Sequence, residues 1–227
     1  MQFPSPDNLH RDGTGQLLIG AVYAGSLCGR CILSSAVYTI ECENMILPSH
    51  EIMKTYIGPP IQKSFANTLN VSSQKASGMA EVFRQHYKKF DLFKAYPYKG
   101  ILELLCLIKQ LKIKQAVATY KREDYAYKIL QKFAMAEHMD SICGSDFAGL
   151  LNKADIIKNA INNMHFVPSK RIVMIGDTEN DLLGAESAGI DFIGVAYGFG
   201  FKNKIDGVKI ALDVNDLKRL LFEEADV

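Results

Sequence analysis

From Tyr98 onward the apolar positions switch repeatedly between a helical and an extended period. Ile101, Leu104, Leu105 and Ile108 recur at i, i+3, i+4 and i+7, which is one apolar helix stripe, and Gln115 to Thr119 (QAVAT) then reads as a short buried strand. Ala126, Ile129, Leu130 and Phe133 form a second stripe, SICGS a strand, and Ile156, Ile157, Ala160, Ile161 and Met164 a third stripe. The clearest strand is Ile172 to Gly176 (IVMIG), an apolar run bounded by Pro168 and by a Gly-Asp step. DLLGAESAG supplies the next helix, FIGVA the next strand, and DVNDLKRLLF a closing helix that Asp213 or Asn215 can cap. Such alternation predicts an α/β fold, a parallel sheet with helices on both faces.

Upstream the pattern changes. From about Ile40 to Ala95 the chain reads as helices and loops, with YIGPPIQKSF followed by MAEVFRQHYKKF. The stretch GQLLIGAVYAGSLCGRCILSSAVYT before it is rich in small and apolar residues and carries no acidic one. Composition narrows what the protein acts on. At 227 residues and 48% hydrophobic content, the chain can bury a real core as one large domain or one domain plus an insert. Lys+Arg 26 against Asp+Glu 25 leaves a net charge of +1, so no global field recruits nucleic acid or an acidic membrane. No apolar run reaches the roughly 18 residues of a membrane span, and no secretory signal pattern opens the chain. We therefore expect a cytoplasmic protein, a monomer or homodimer, acting on a small ligand. Five cysteines at irregular spacing point to reduced thiols, and the Cys28/Cys31 pair lacks the second pair that a structural zinc site needs.

In sheets of this kind ligands gather at the carboxyl ends of the strands, which directs attention to Thr119, Ser145 and Asp177. Asp177 and Asp181 lie four apart where a strand ends and a helix begins, so both carboxylates can face one point, a hard oxygen donor set suited to Mg²⁺. Each residue also has a plainer explanation. Asp177 could cap a helix with Asp181 solvated in its first turn, Lys153 could be a surface lysine, and Thr119 an ordinary β-branched strand residue.

The joint order decides between them. A strand-terminal Thr119, a Lys153 opening a helix, then IGDTEND at Ile175 to Asp181, resembles motifs two, three and four of the haloacid dehalogenase superfamily. GAESAGI and GVAYGFG resemble its phosphoglycolate phosphatase-like and 5'-nucleotidase-like branch. The resemblance implies a three-layer Rossmann-like core, at residues 1–15 and 96–227, with a small helical cap at 16–95 that GPPIQKSF and the YPYKG turn resemble in part. It further implies a Mg²⁺-dependent phosphatase that hydrolyses a small phosphomonoester through an aspartyl-phosphate. Thr119 and Lys153 would then bind the phosphoryl group as catalytic residues, and Asp177 and Asp181, with an aspartate of motif one, would hold the metal.

Motif one should be an apolar strand ending in DxDGT. The candidate is HRDGT, in which Asp12 would be the acid/base and a metal ligand, while His10 stands where the nucleophilic aspartate belongs. The expected activity is accordingly very weak or absent, and two explanations stay open. One is a noncatalytic member that binds phosphorylated ligands. The other is a shifted reading frame upstream of Ile40. A dinucleotide-binding fold would share the sheet but wants GxGxxG after an early strand, and GFGFKN comes too late and lacks the third glycine.

Overall fold

The computed structural model describes residues 16–19, 27–146, 150–165, 172–201 and 205–222, with the backbone alone at 16–19 and 27–28. The chain divides into two compact units. One comprises Met1–Ala24, Pro97–Asp146 and Leu150–Val227, the other Gly25–Tyr96 with Phe147–Gly149.

The first unit is built on a six-stranded parallel sheet. Its strands are β1 (Gln16–Ile19), β2 (Lys114–Arg122), β3 (Ser141–Ser145), β4 (Ile172–Gly176), β5 (Asp191–Val195) and β6 (Lys209–Ala211). They lie in the order β3-β2-β1-β4-β5-β6, with β1 hydrogen-bonded to β2 on one side and β4 on the other. Parallel neighbours need crossover helices. These are α5 (Ile101–Gln110), α6 (Glu123–Lys132), α7 (Lys153–Asn163) and α8 (Glu179–Ala188), and α9 (Val214–Phe222) closes the chain's described part. Because successive strands run outward from β1 first one way and then the other, right-handed crossovers place helices on both faces. Ala116, Ala118 and Met174 of the sheet pack with Ile156, Ile157, Ala160 and Ala185 of α7 and α8. The small alanines of β2 let those helices sit close.

Three differences from the sequence reading stand out. β1 falls inside the stretch assigned to the cap, so Gln16–Ile19 belongs to the sheet and not to the helical insert. It also begins after HRDGT, whereas the expected motif needs its strand before the aspartates; His10 and Asp12 themselves lie outside the described residues. Finally, β2 does not stop at Thr119 but runs to Arg122, with a break in its pairing to β3 between Ala118 and Arg122. Such an irregularity re-aims side chains at a strand's end.

The second unit contains the helices α1 (Leu27–Cys42), α2 (His50–Lys54), α3 (Ile61–Leu69) and α4 (Ser73–His86), followed by a π-helical turn at Tyr87–Asp91. Its centre is aromatic: Tyr56 meets Phe65 edge to face, Phe65 meets Phe83 likewise, and Phe83 stacks on Tyr87. A buried polar group ties α1 to the π turn, with Ser35 Oγ donating to Asp91 Oδ2 at 2.6 Å and Lys94 Nζ to Asp91 Oδ1 at 2.8 Å. The two lone oxygens of a buried carboxylate are thus both met, as burial demands. Among the described residues no helix is long and apolar enough to cross a membrane. Among the described residues, Cys42, Cys106 and Cys143 are free thiols.

Candidate active site

Four elements of the sheet unit bring the predicted residues together. Thr119, Lys153, Asp177 and Asp181 are all buried, an environment in which a charge must be paired or must await a partner.

Lys153 is the first residue of α7. Asn152 caps that helix, accepting from Asp155 N–H while Asp155 reaches back to Asn152 N–H. The Lys153 backbone N–H, otherwise an orphan of the helix start, donates to the Tyr120 hydroxyl at 2.9 Å. Its ammonium donates to Ala118 O at 2.8 Å and pairs with Asp181 Oδ1 at 2.6 Å. Lys153 is therefore not a solvated surface lysine. Ala118 precedes Thr119, so the ammonium sits at the strand break that also carries the threonine. Thr119 Oγ1 accepts from Lys121 N–H at 3.1 Å, which fixes its position while its hydroxyl proton remains a donor.

Asp181 lies one turn into α8, where Thr178 is the N-cap in a second capping box. Its Oδ2 accepts from Asp177 N–H, Thr178 N–H and Thr178 Oγ1 at 2.9 to 3.1 Å. With Oδ1 taken by Lys153, both oxygens are committed within the protein. Asp181 is thereby the counter-ion of Lys153 and the brace of the Asp177 backbone. Gly176 makes this possible, since a Cβ there would lie 2.3 Å from Asp181 Cβ.

Asp177 is differently placed. Its Oδ2 accepts from Phe199 N–H at 2.9 Å, its carbonyl accepts from Gly200 N–H at 2.8 Å, and Oδ1 meets no donor among the described residues. Burial first, and the neighbouring Asp181 second, push its pKa up to about 6. A buried carboxylate beside another anion, with one oxygen to spare, fits a hard divalent cation. Among the described residues no three His, Cys, Asp or Glu side chains gather into a metal-binding group.

Ser145 does not join this cluster through any hydrogen bond of its own; its hydroxyl donates to the neighbouring Asp146 O at 3.2 Å. Sequence reasoning missed Tyr120, Gly176 and the 198–200 segment. The GVAYGFG run was visible, but nothing local in it shows that Gly198 lies against Asp177. A Cβ on Gly198 would fall 2.2 Å from Asp177 Cβ, and the contact is made between segments that only the fold unites. The residues that follow β1 in the chain are Gly20-Ala21-Val22-Tyr23-Ala24-Gly25-Ser26, so Val22, Ala24, Gly25 and Ser26 keep the spacing of DxDGT without either aspartate.

A parallel Rossmann-like sheet carries at its carboxyl edge a buried Lys-Asp pair, a second buried aspartate and a threonine, the edge at which α/β proteins of this class bind ligands. The model of the haloacid dehalogenase-like hydrolases matches residues 29–195, and the chain belongs to that family. The chain is 30% identical to a 5'-nucleotidase from Pseudomonas aeruginosa over 67% of this chain and 69% of that protein. It is 29% identical to the tyrosine-protein kinase PtkA of Mycobacterium tuberculosis over 78% of this chain and 60% of that one. A phosphoglycolate phosphatase from Agrobacterium fabrum shares 28% over 74% of each chain. Among solved structures, a predicted phosphatase from Clostridium acetobutylicum superposes with a TM-score of 0.83 at 28% identity, covering 92% of this chain and 98% of that one.

Proposed function

We propose that the carboxyl edge of the sheet binds the phosphoryl group of a small phosphomonoester together with Mg²⁺, the site of a phosphoglycolate phosphatase-like or 5'-nucleotidase-like phosphatase. The observation that carries this reading is the network from Ala118 through Lys153 and Asp181 to Asp177, which fixes one buried cation and leaves one buried carboxylate oxygen for a metal. Asp177 would hold Mg²⁺, which would supply positive charge to offset the phosphoryl dianion. Lys153 offers the remaining proton of its ammonium to a phosphoryl oxygen, held in place beforehand so that no reorganisation is needed on binding. Thr119 Oγ1 donates to a second oxygen.

A noncatalytic variant of this reading is favoured by one specific observation. Hydrolysis through an aspartyl-phosphate needs a carboxylate where the central strand ends, and no Asp or Glu occurs between Gly13 and Ile40. On this reading the chain keeps a phosphate- and metal-binding half without the attacking carboxylate, so slow or absent turnover with intact binding is the expected behaviour.

Calorimetry with inorganic phosphate and Mg²⁺, alongside an aryl phosphate hydrolysis assay, tests both parts. Mg²⁺-dependent phosphate binding that Asp177→Ala removes supports the site; no binding at any metal concentration overturns it. Turnover by the wild-type chain at ordinary phosphatase rates would exclude the noncatalytic variant.

A further inference from the structure

Alternate residues of a strand share one face of the sheet, and on the face of β2 that packs against α7 they read Ala116, Ala118, Tyr120. The two alanines let the helix approach, and the tyrosine at the end of the row reaches its first residue. The Tyr120 hydroxyl accepts the Lys153 backbone N–H at 2.9 Å, and the Lys153 ammonium lies over the Tyr120 ring, 5.6 Å from its centroid. Against the lysine stem stands Gly184 of α8. A Cβ at Gly184 would fall 2.5 Å from Lys153 Cγ and 3.0 Å from Lys153 Cβ, so the stem fills the space a side chain there would need. Lys153 is thus confined along its length: its backbone by the hydroxyl, its stem by the bare glycine, its ammonium by the ring, Ala118 O and Asp181.

We propose that Tyr120 and Gly184 are positioning residues of the phosphate site, together holding the Lys153 ammonium in its binding geometry before a phosphoryl group arrives. The inference rests on the phosphate-binding reading of Lys153 given above. A lysine stem is long and rotatable, and a free one would have to be ordered each time a ligand bound. Ala118 O and Asp181 each take one ammonium proton, which directs the last one only if the nitrogen itself cannot slide. The ring face attracts a cation at this distance, and the stem is stopped at Gly184 by the helix backbone. The two ends of Tyr120 divide the work. Any acceptor could meet the N–H at a helix start, so the hydroxyl serves stability, whereas the ring beside the ammonium serves the ligand.

The test compares Tyr120→Phe, Tyr120→Leu and Gly184→Ala in the whole chain. Binding of inorganic phosphate is measured by calorimetry at saturating Mg²⁺, Mg²⁺ binding is measured separately, and the melting temperature is followed in the metal-free protein. Tyr120→Phe keeps the ring and loses the acceptor: the melting temperature should fall by about 2–4 °C, the worth of one hydrogen bond in a chain of this size, with phosphate affinity within about twofold of wild type. Tyr120→Leu removes the ring as well, and phosphate affinity should fall about tenfold, the scale of a partly desolvated cation–π contact. Gly184→Ala displaces the lysine stem while leaving Tyr120 in place, and should cause a loss of similar size. Mg²⁺ affinity should stay within about twofold in all three, because none of them alters Asp177. A Tyr120→Leu protein that binds phosphate like wild type overturns the proposal. So does an equal loss in the Phe and Leu variants, which would trace the effect to the helix start, or a parallel loss of Mg²⁺ affinity, which would mark a general distortion. Should Tyr120→Leu not fold, Gly184→Ala decides: a loss confined to phosphate supports the proposal and unchanged affinity overturns it. If the wild-type protein binds no phosphate with Mg²⁺, the site reading itself fails, an outcome distinct from variants that bind as well as a binding wild type.

Discussion

Asp177 and Asp181 are four residues apart and both buried, yet their surroundings differ. Asp181 receives an ammonium and three other donors, whereas Asp177 receives one backbone N–H on its side chain. Neutralising each should therefore have different effects. Asp181→Asn leaves the Lys153 charge buried without a counter-charge, with Ala118 O and the Tyr120 ring beside it, and unfolding free energy should drop by about 3–5 kcal/mol in a urea titration. Asp177→Asn should abolish Mg²⁺ binding in calorimetry without lowering the melting temperature of the metal-free protein. The raised pKa of Asp177 adds a pH dependence of known sign. A folded pKa of about 6 lies above the ordinary value of 3.8, so the stability linked to this group is complete below about pH 4 and lost as pH rises through 6. Bound metal reverses that loss. The rise in melting temperature on adding Mg²⁺ should consequently be larger at pH 7.5 than at pH 5, and an equal rise at both would contradict the assignment. At this scale the sequence exposed Thr119, Lys153, Asp177 and Asp181 as a set, because type and order are written along the chain. Which oxygen faces which donor is set by side-chain direction across three elements, and that is not.

The helices and strands show a similar division. SICGS and IVMIG coincide with β3 and β4, since an apolar run between turn formers carries its own boundaries. Of the two caps considered for α9, Asp213 is the one used, accepting from Asp216 N–H at 2.8 Å. β1 and β6 went unread, being four and three residues long and too short for any period to show. Helix starts matter more than helix bodies here, because α7 and α8 each deliver a site residue in their first turn. Thr178 both caps α8 and donates its hydroxyl to Asp181, so Thr178→Ala should cost about 1–2 kcal/mol, at the upper end for a cap. Asn152→Ala removes the cap of α7 alone and should cost about 1 kcal/mol. Chemical denaturation of the two variants provides the comparison.

For the molecule as a whole, the proposed noncatalytic reading turns on the attacking group, and chain order says where a carboxylate would be introduced to test it. His10→Asp acts before the central strand, while Val22 and Ala24 follow it. Val22→Asp with Ala24→Asp should raise Mg²⁺-dependent aryl phosphate hydrolysis by at least about a hundredfold, the scale of a positioned acid/base alone, and His10→Asp should not. A gain from His10→Asp instead would return motif one to HRDGT.

The place of β1 in the sheet has a further consequence, for the order in which the protein can assemble. The central strand is synthesised before either of its partners, which are encoded far downstream, with Gln16 opposite Lys114 on one side and Ile172 on the other. Every hydrogen bond along both of its edges closes a long loop, and contacts of that kind are slow to form. Until β4 has been synthesised the nascent chain carries a short apolar strand with an unpaired edge, the state in which chaperones are most needed and in which two copies of the chain can pair with each other instead.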